Sequence, residues 1–374
     1  MDLELSEDQE LFRETTTRFI EARCPLPRVR ELADSPVAHD PVMLADAGDL
    51  GWFALFVPEE FGGGSVSGSP LRDAVIVAEE RGRFVQPGPF VATNVVAFAI
   101  AREGSREQQE AFLPALATAE LSASWAISDR SGIPVAGAVT ARKGDAGYVV
   151  DGTAGLVPEA AAAGVFLVTA SGDGSGVTQF LVSADTPGVT VVPLDGLDLT
   201  RRFADVRFDE VTLPATAVLG APGAATASVD AQLDVAVALT LAESVGAMRR
   251  LMEITVDYAK ARTAFGRPIG SFQALKHLLA DASLWSELST AGAWAAAQAV
   301  ADERPSASEI ASIAKAYGGD AGVEIALACL QAHGGIGFTW EHDLHFYFRR
   351  LTADRVLYGD PDWHRERICR IHEL

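Results

Sequence analysis

The chain has 374 residues, 48% hydrophobic and 22% charged, which is the balance of an ordinary globular protein with room for two or three domains. Acidic residues outnumber basic ones 51 to 30, for a formal net charge of −21. That excess argues against a nucleic-acid partner and against an anionic membrane surface.

The opening stretch, MDLELSEDQELF, is acidic and amphipathic, so no signal peptide is read there. Ser6, followed by Asp8, Gln9 and Glu10, predicts a helix start, and Leu11, Phe12, Phe19 and Ile20 predict one apolar face. Helical patterns fill residues 1–120, broken by glycine-bearing turns at VPEEFGGGS (57–65) and FVQPGPF (84–90). Residues 121–225 change texture. GYVVDG, VFLVTAS, TQFLVSA, GVTVVPL and ADVRFDEVTL are short, β-branched runs between turn residues, and they predict an antiparallel β-sandwich or barrel.

PGAATAS (222–228) reads as a linker, and residues 226–374 return to long helices. Leu233, Val237, Leu241, Met248, Met252, Val256 and Ala259 form one stripe. Further helices are predicted over 271–300, over 307–333 and from Pro361, making a four-helix bundle with alanine-rich faces suited to subunit contacts. Gly246 and Ala247 suit either a wide pocket or close helix packing. The whole is an α+β multidomain chain. Charge interrupts every apolar run before the roughly 18 residues of a membrane span. Cys24, Cys329 and Cys369 are too few and too widely spaced for a disulfide scaffold or a zinc site, so a cytoplasmic protein is expected.

Two stretches carry chemistry. In ARTAFGRPIGSFQ, Arg262 and Arg267 precede a helix opened by Gln273, and forked donors near a helix N-terminus suit phosphate; a capped loop with solvated arginines is the plainer reading. In QAHGGIGFTWEH, glycines end a helix and Glu341 stands among Phe338, Trp340 and Phe346. Those aromatics would desolvate a carboxylate and raise its pKa, as a general base needs; a helix-dipole role is the commoner alternative. His333, His342, His345 and His364 show no metal spacing, and for His342 plain solvation is commoner than tuning of Glu341.

LGWFALFVPEEFGGGS, AEERGR, LTRRFADVRFDEVTLPATAVLG, DYAKARTAFGRPIGSFQALKHLLAD and QAHGGIGFTWEHDLHFYFRR together resemble the acyl-CoA dehydrogenase family over essentially the whole chain. The resemblance implies FAD, an acyl-CoA substrate oxidised to its trans-2-enoyl form, and an electron-transfer flavoprotein as acceptor. It implies that Arg262, Phe265 and Gln273 contact the FAD of a neighbouring subunit, with Gln331, Gly334 and Gly335 over its adenosine half. On the same grounds Glu341 is the α-proton base, with hydride passing to flavin N5. The family's alternative base position, on the long helix, is Ala236 here.

Near the flavin ring the pattern departs. AISDRSGIP (126–134) stands for a Thr-Glu-Pro-x-x-Gly-Ser stretch, so Ser128 replaces Thr, Asp129 replaces Glu and Arg130 replaces Pro, while Gly132 keeps part of the cradle. Leu156, Val157 and Pro158 stand for Trp-Ile-Thr, and a frequent helix arginine is Val237. Two assemblies fit: a homotetramer with its own active site, or an α2β2 heterotetramer in which this chain completes a paralogue's flavin site. A related flavin oxidase or monooxygenase is a third reading. Acyl chain length is not legible.

Overall fold

A computed structural model describes residues 5–35, 39–134, 136–145, 147–172 and 176–374; the first four residues of the acidic N-terminal stretch fall outside it. Six helices come first: α1 (Glu7–Arg23), α2 (Leu26–Ala33), α3 (Pro41–Asp49), α4 (Pro70–Arg83), α5 (Phe90–Glu103) and α6 (Arg106–Ala117). Their starts are chemically marked. Ser6 Oγ accepts from the Gln9 N–H at 3.2 Å while the Gln9 side chain accepts from the Ser6 N–H at 3.1 Å, a reciprocal capping box. Ser105 and Gln108 repeat it on α6, and Asp40 caps α3. The predicted apolar face of α1 holds at Ile20, which is buried, but Leu11 is 58% exposed.

One eight-stranded sheet follows: β1 (Ala123–Ala126), β2 (Val139–Gly144), β3 (Gly147–Pro158), β4 (Val165–Gly172), β5 (Val177–Ser183), β6 (Val189–Leu194), β7 (Phe203–Leu213) and β8 (Val218–Leu219). The path is β6-β7-β3-β2-β4-β5-β8, with β1 added against β4. The sheet is mixed rather than wholly antiparallel, because both β1 and β2 run parallel to β4. The cause is connectivity: the β2–β3 hairpin intervenes between β1 and β4, and β3 between β2 and β4, and a crossover of that kind is what parallel pairing requires. Strand β4 is buried on both faces. Val165 and Leu167 belong to the main core with the helices, while Phe166, Val168 and Ala170 belong to a second core inside the β-domain.

The C-terminal part contains α7 (Thr226–Ala261), β9 (Thr263–Ala264), β10 (Arg267–Pro268), α8 (Gln273–Ala301), α9 (Ala307–His333), α10 (Leu344–Val356) and α11 (Pro361–Ile371). Helix α7 begins inside the stretch read as a linker, and α10 is a fifth helix packed on α9 and α7. By length and composition α7 could cross a membrane, but 94% of its apolar window is buried in the fold, so it is a core helix. The Gly246 ambiguity resolves to close packing. A Cβ on Gly246 would stand 1.8 Å from the Glu79 carbonyl oxygen, and one on Gly82 would stand 1.8 Å from that of Glu243, so α4 and α7 cross with glycines at the contact.

Candidate functional site

The end of α7 sets the first cluster. The Arg262 N–H donates to the Tyr258 carbonyl at 2.8 Å, closing the helix, and the Ile269 N–H returns to the Arg262 carbonyl at 2.8 Å. Between them β9 and β10 pair in a tight hairpin whose tip, Phe265, has φ 52° and is 95% exposed. Helix α8 then starts at Gln273, and α9 returns to the same end, where the Tyr258 ring stacks on His333 with centroids 4.3 Å apart. This gathers Arg262, Phe265, Gln273, Gln331, Gly334 and Gly335, all exposed. Among the described residues the side chains of Arg262, Gln273 and Gln331 have no partner, while Arg267 lies 4.1 Å from the centroid of the Phe272 ring. Free guanidinium and amide donors, an exposed aromatic ring and a 29-residue helix starting at Gln273 are a donor set that fits an anionic dinucleotide.

The second cluster lies on the β-domain. Asp129 Oδ1 accepts from the N–H groups of Ser131 (2.8 Å) and Ile133 (3.2 Å), folding AISDRSGIP into a tight loop. Ser128 is buried, and its carbonyl accepts from the Gly155 N–H at 2.8 Å. A Cβ on Gly132 would meet Leu156 Cδ1 at 3.3 Å and the Val356 carbonyl at 3.8 Å, so this loop abuts the C-terminal end of α10. Just beyond, Tyr358 is buried against Trp125, with centroids 6.2 Å apart, and its hydroxyl has no partner. Gly359 follows with φ 101°, and a Cβ there would stand 2.7 Å from the Trp363 ring, so this turn admits no side chain.

The two clusters therefore occupy opposite ends of α10. Its 13 residues span about 20 Å at 1.5 Å per residue.

Glu341 lies at the α10 N-terminal end, with the cluster of Arg262, Gln331 and Gly334 and not with Ser128 and Gly132. It is exposed and opens on a cleft of about 460 Å³ lined by Pro27, Arg30, Glu31, Asp34 and Asp343. The aromatic enclosure expected around it does not form: Phe338 is 76% and Trp340 50% exposed, and buried Phe346 faces Arg30, whose Cζ stands 5.1 Å from the ring centroid. That corrects the desolvation argument. No group of His, Cys, Asp and Glu able to hold a metal occurs among the described residues.

A third cluster was missed by sequence reasoning. Ala236, Thr240 and Glu243 share one buried face of α7, and Glu243 ion-pairs with Arg201 and, at 3.3 Å, with Arg81. Arg201 also reaches Asp354 at 3.1 Å, and Arg350 pairs with Asp198 at 2.6 Å. Burial would raise Glu243, but Arg201, then Arg81 and Arg350, hold it below the usual carboxylate range. Burial raises Asp354 and Glu159, and lowers Lys315 to about 8 where its ammonium meets the Asp354 carbonyl. The available signal was Glu243 itself, a charge inside the apolar run LTLAESVGA. Chemically, Glu243, Asp354 and Asp198 are held in ion pairs, whereas Glu159 is buried with only the Arg202 N–H donating to it, at 3.1 Å, among the described residues.

Comparison with known proteins agrees with this architecture. Residues 6–120 match the profile described as acyl-CoA dehydrogenase, N-terminal domain, and residues 226–372 match acyl-CoA dehydrogenase, C-terminal domain. The acyl-CoA dehydrogenase IpdE2 of Mycolicibacterium smegmatis is 33% identical over 375 residues, covering 98% of both chains. Among solved structures, the ChsE4–ChsE5 complex from Mycobacterium tuberculosis superposes with TM-score 0.91 at 27% identity, covering 100% of this chain and 99% of that one. A single-residue variant of the Tcur3481–Tcur3483 steroid ACAD superposes with TM-score 0.88, also at 27% identity, covering 98% of each.

Proposed function

The chain belongs to the acyl-CoA dehydrogenase family, FAD-dependent oxidoreductases of lipid metabolism whose fold is typically tetrameric, and from that premise we propose that it completes the flavin site of a paralogous partner in an α2β2 enzyme. FAD, when bound, supplies the two-electron acceptor for oxidation of an acyl-CoA to its trans-2-enoyl form. The observation that carries the reading is the separation along α10. Arg262, Phe265, Gln273, Gln331, Gly334 and Gly335 are free and exposed at one end, as a cradle for a cofactor seated on a neighbour requires. At the other end this chain's own ring-side elements close on themselves.

In that role Arg262 and the N-terminus of α8 hold phosphate oxygens, Phe265 offers an apolar face, and the Gly334–Gly335 backbone lies against the adenosine half. Ser128 and Gly132 keep the tight ring-side loop without the hydroxyl and backbone donors expected at Pro158. Ala236 carries no carboxylate, and Glu243, two turns further along α7, is already paired with Arg201 and Arg81, which supports an α-proton base supplied by the partner. Exposed Leu284 and Leu288 on α8 and Ile313, Tyr317 and Leu327 on α9 supply apolar surface for assembly. We place the substrate among steroid-derived acyl-CoAs, supported by the likeness to the steroid enzyme, with electrons leaving to an electron-transfer flavoprotein in the reducing cytoplasm.

A second reading keeps Glu341 as the base of a self-sufficient homotetramer. Its side chain is exposed and makes no hydrogen bond or ion pair among the described residues, so it is free to meet a substrate held by a neighbour. Expression alone and with the paralogue separates the two. Half-site function predicts colourless protein alone and yellow complex bleached anaerobically by acyl-CoA. A chain that purifies yellow by itself and bleaches restores the second reading.

A further inference from the structure

We propose that His333 and His342 are positioning residues for the dinucleotide cradle, paired across the glycine turn that carries Gly334 and Gly335. The inference rests on the cradle reading above and adds to it the device that holds the turn shut.

Backbone partners fix the proton on each ring. His333 Nδ1 stands 2.9 Å from the Cys329 carbonyl, which only accepts, so Nδ1 carries the hydrogen and Nε2 is left with a lone pair. His342 Nδ1 accepts from the Leu344 N–H at 3.2 Å, so its hydrogen is on Nε2. The rings meet edge to face at 4.8 Å. His333 Nε2 is buried with no partner, and the ring beside it carries a donor of the complementary kind. Tyr258 of α7 stacks on the outer face of His333 at 4.3 Å, tying the pair to the helix whose last turn presents Arg262. Gly334, with φ 62°, reverses the chain immediately after His333, and His342 receives it eight residues later. The pair therefore spans the whole loop between α9 and α10.

A proton on either ring undoes the arrangement. On His342 it replaces the acceptor that holds the Leu344 N–H, and on His333 it puts a charged N–H in a buried position with no acceptor among the described residues. The groups facing the pair are Tyr258 from α7, Cys329 from α9, and Asp343 beside His342. Burial lowers both imidazoles, and Asp343 opposes this at His342. For a histidine lowered in the folded state, the unfolded or opened form binds the proton first. The closed turn is fully favoured above about 6.5 and loses ground as pH falls below that, levelling off once the folded rings also protonate.

The test is FAD retention by the co-purified complex, read by flavin fluorescence after ultrafiltration between pH 8 and pH 5. The dissociation constant of the native complex is expected to rise roughly tenfold across that range, and less than about twofold in His333→Gln and His342→Gln, which cannot titrate. Melting temperatures at pH 8 check that both variants fold. Native and variant complexes losing FAD along the same curve would overturn the proposal. A complex that holds FAD tightly but does not weaken when Arg262 is replaced overturns the cradle reading instead, whatever the histidines do.

Discussion

The guanidinium of Arg201, just ahead of β7, ion-pairs with the Glu243 carboxylate in the middle of α7, with both side chains almost wholly buried. Arg81 of α4 approaches the same carboxylate at 3.3 Å, so one glutamate joins the N-terminal helices, the β-domain and the bundle. Glu243→Gln keeps the shape and removes the charge, leaving two buried arginines short of a counter-ion. Breaking a buried pair in this way costs about 3–5 kcal/mol. Arg102→Gln breaks an exposed pair with Glu303 and is expected to cost below about 1 kcal/mol. Urea unfolding of both variants measures the contrast; equal small losses would show that the network is not a structural tie.

The α4–α7 crossing gives a sharper steric prediction. Gly246→Ala places a methyl 1.8 Å from a backbone oxygen of the facing helix, and the two helices must separate. A loss of about 1–3 kcal/mol is expected, seen as a lower melting temperature. Gly137→Ala, where nothing lies within 4 Å, is the matched control and is expected to be neutral.

Acid sensitivity should report on His364. Its ring is fully buried, Nε2 donates to the Tyr358 carbonyl at 3.1 Å, and burial pushes its pKa down to about 3. Between about 6.5 and 3 the unfolded chain binds a proton that the folded one refuses, so stability falls as pH drops through that window, at up to about 1.4 kcal/mol per unit. Below about 4 the paired carboxylates Asp198 and Glu243, held low by arginines, add their own loss. His364→Gln is expected to make the limb from 6.5 to 4 shallower, with a residual slope from His39, His333, His342 and His345, which burial also lowers, while keeping the steeper fall below it. A native slope in the variant would remove His364 as the cause.

Helices α8, α9 and α11 were legible within a few residues because their periodicity is local, and at α11 Asp360 adds a side-chain cap. The strands β3 to β7 were legible for the same reason. Pairing was not: the parallel partners of β4 come from segments far apart in sequence, and alternation within a strand does not name its neighbour. Arg262, Phe265, Gln273, Gln331, Gly334 and Gly335 could be singled out because they sit on two short contiguous motifs, and the fold brings those motifs to one end of the bundle. The aromatic enclosure of Glu341 was misjudged because neighbours in sequence were taken as neighbours in space, whereas Phe338 and Trp340 are exposed. The Arg81–Glu243–Arg201 network draws one residue from each of three distant segments, and only the fold joins them.

If Arg262 holds a phosphate of a partner-bound cofactor, Arg262→Ala removes a charge-assisted contact and disturbs no internal bond, since that side chain has none among the described residues. A contact of this kind contributes about 1.5–3 kcal/mol, or roughly ten- to a hundredfold in the FAD dissociation constant of the complex. The melting temperature of the isolated chain should not move. Weakened FAD binding with an unchanged isolated chain supports the cradle; unchanged binding sinks it.

Glu341→Gln separates the two functional readings most directly. Loss of a general base typically costs 10²- to about 10⁴-fold in rate. On the half-site reading Glu341, at the N-terminal end of α10 and about 20 Å along that helix from the loop carrying Gly132, is not the base. The expected result for the complex is a rate of anaerobic flavin bleaching by acyl-CoA within about threefold of native, with FAD still bound, because none of the catalytic gain of a base is at stake. A hundredfold or larger loss with FAD retained would return the base to this chain, and the partner's own carboxylates would then have to be dispensable when replaced in turn.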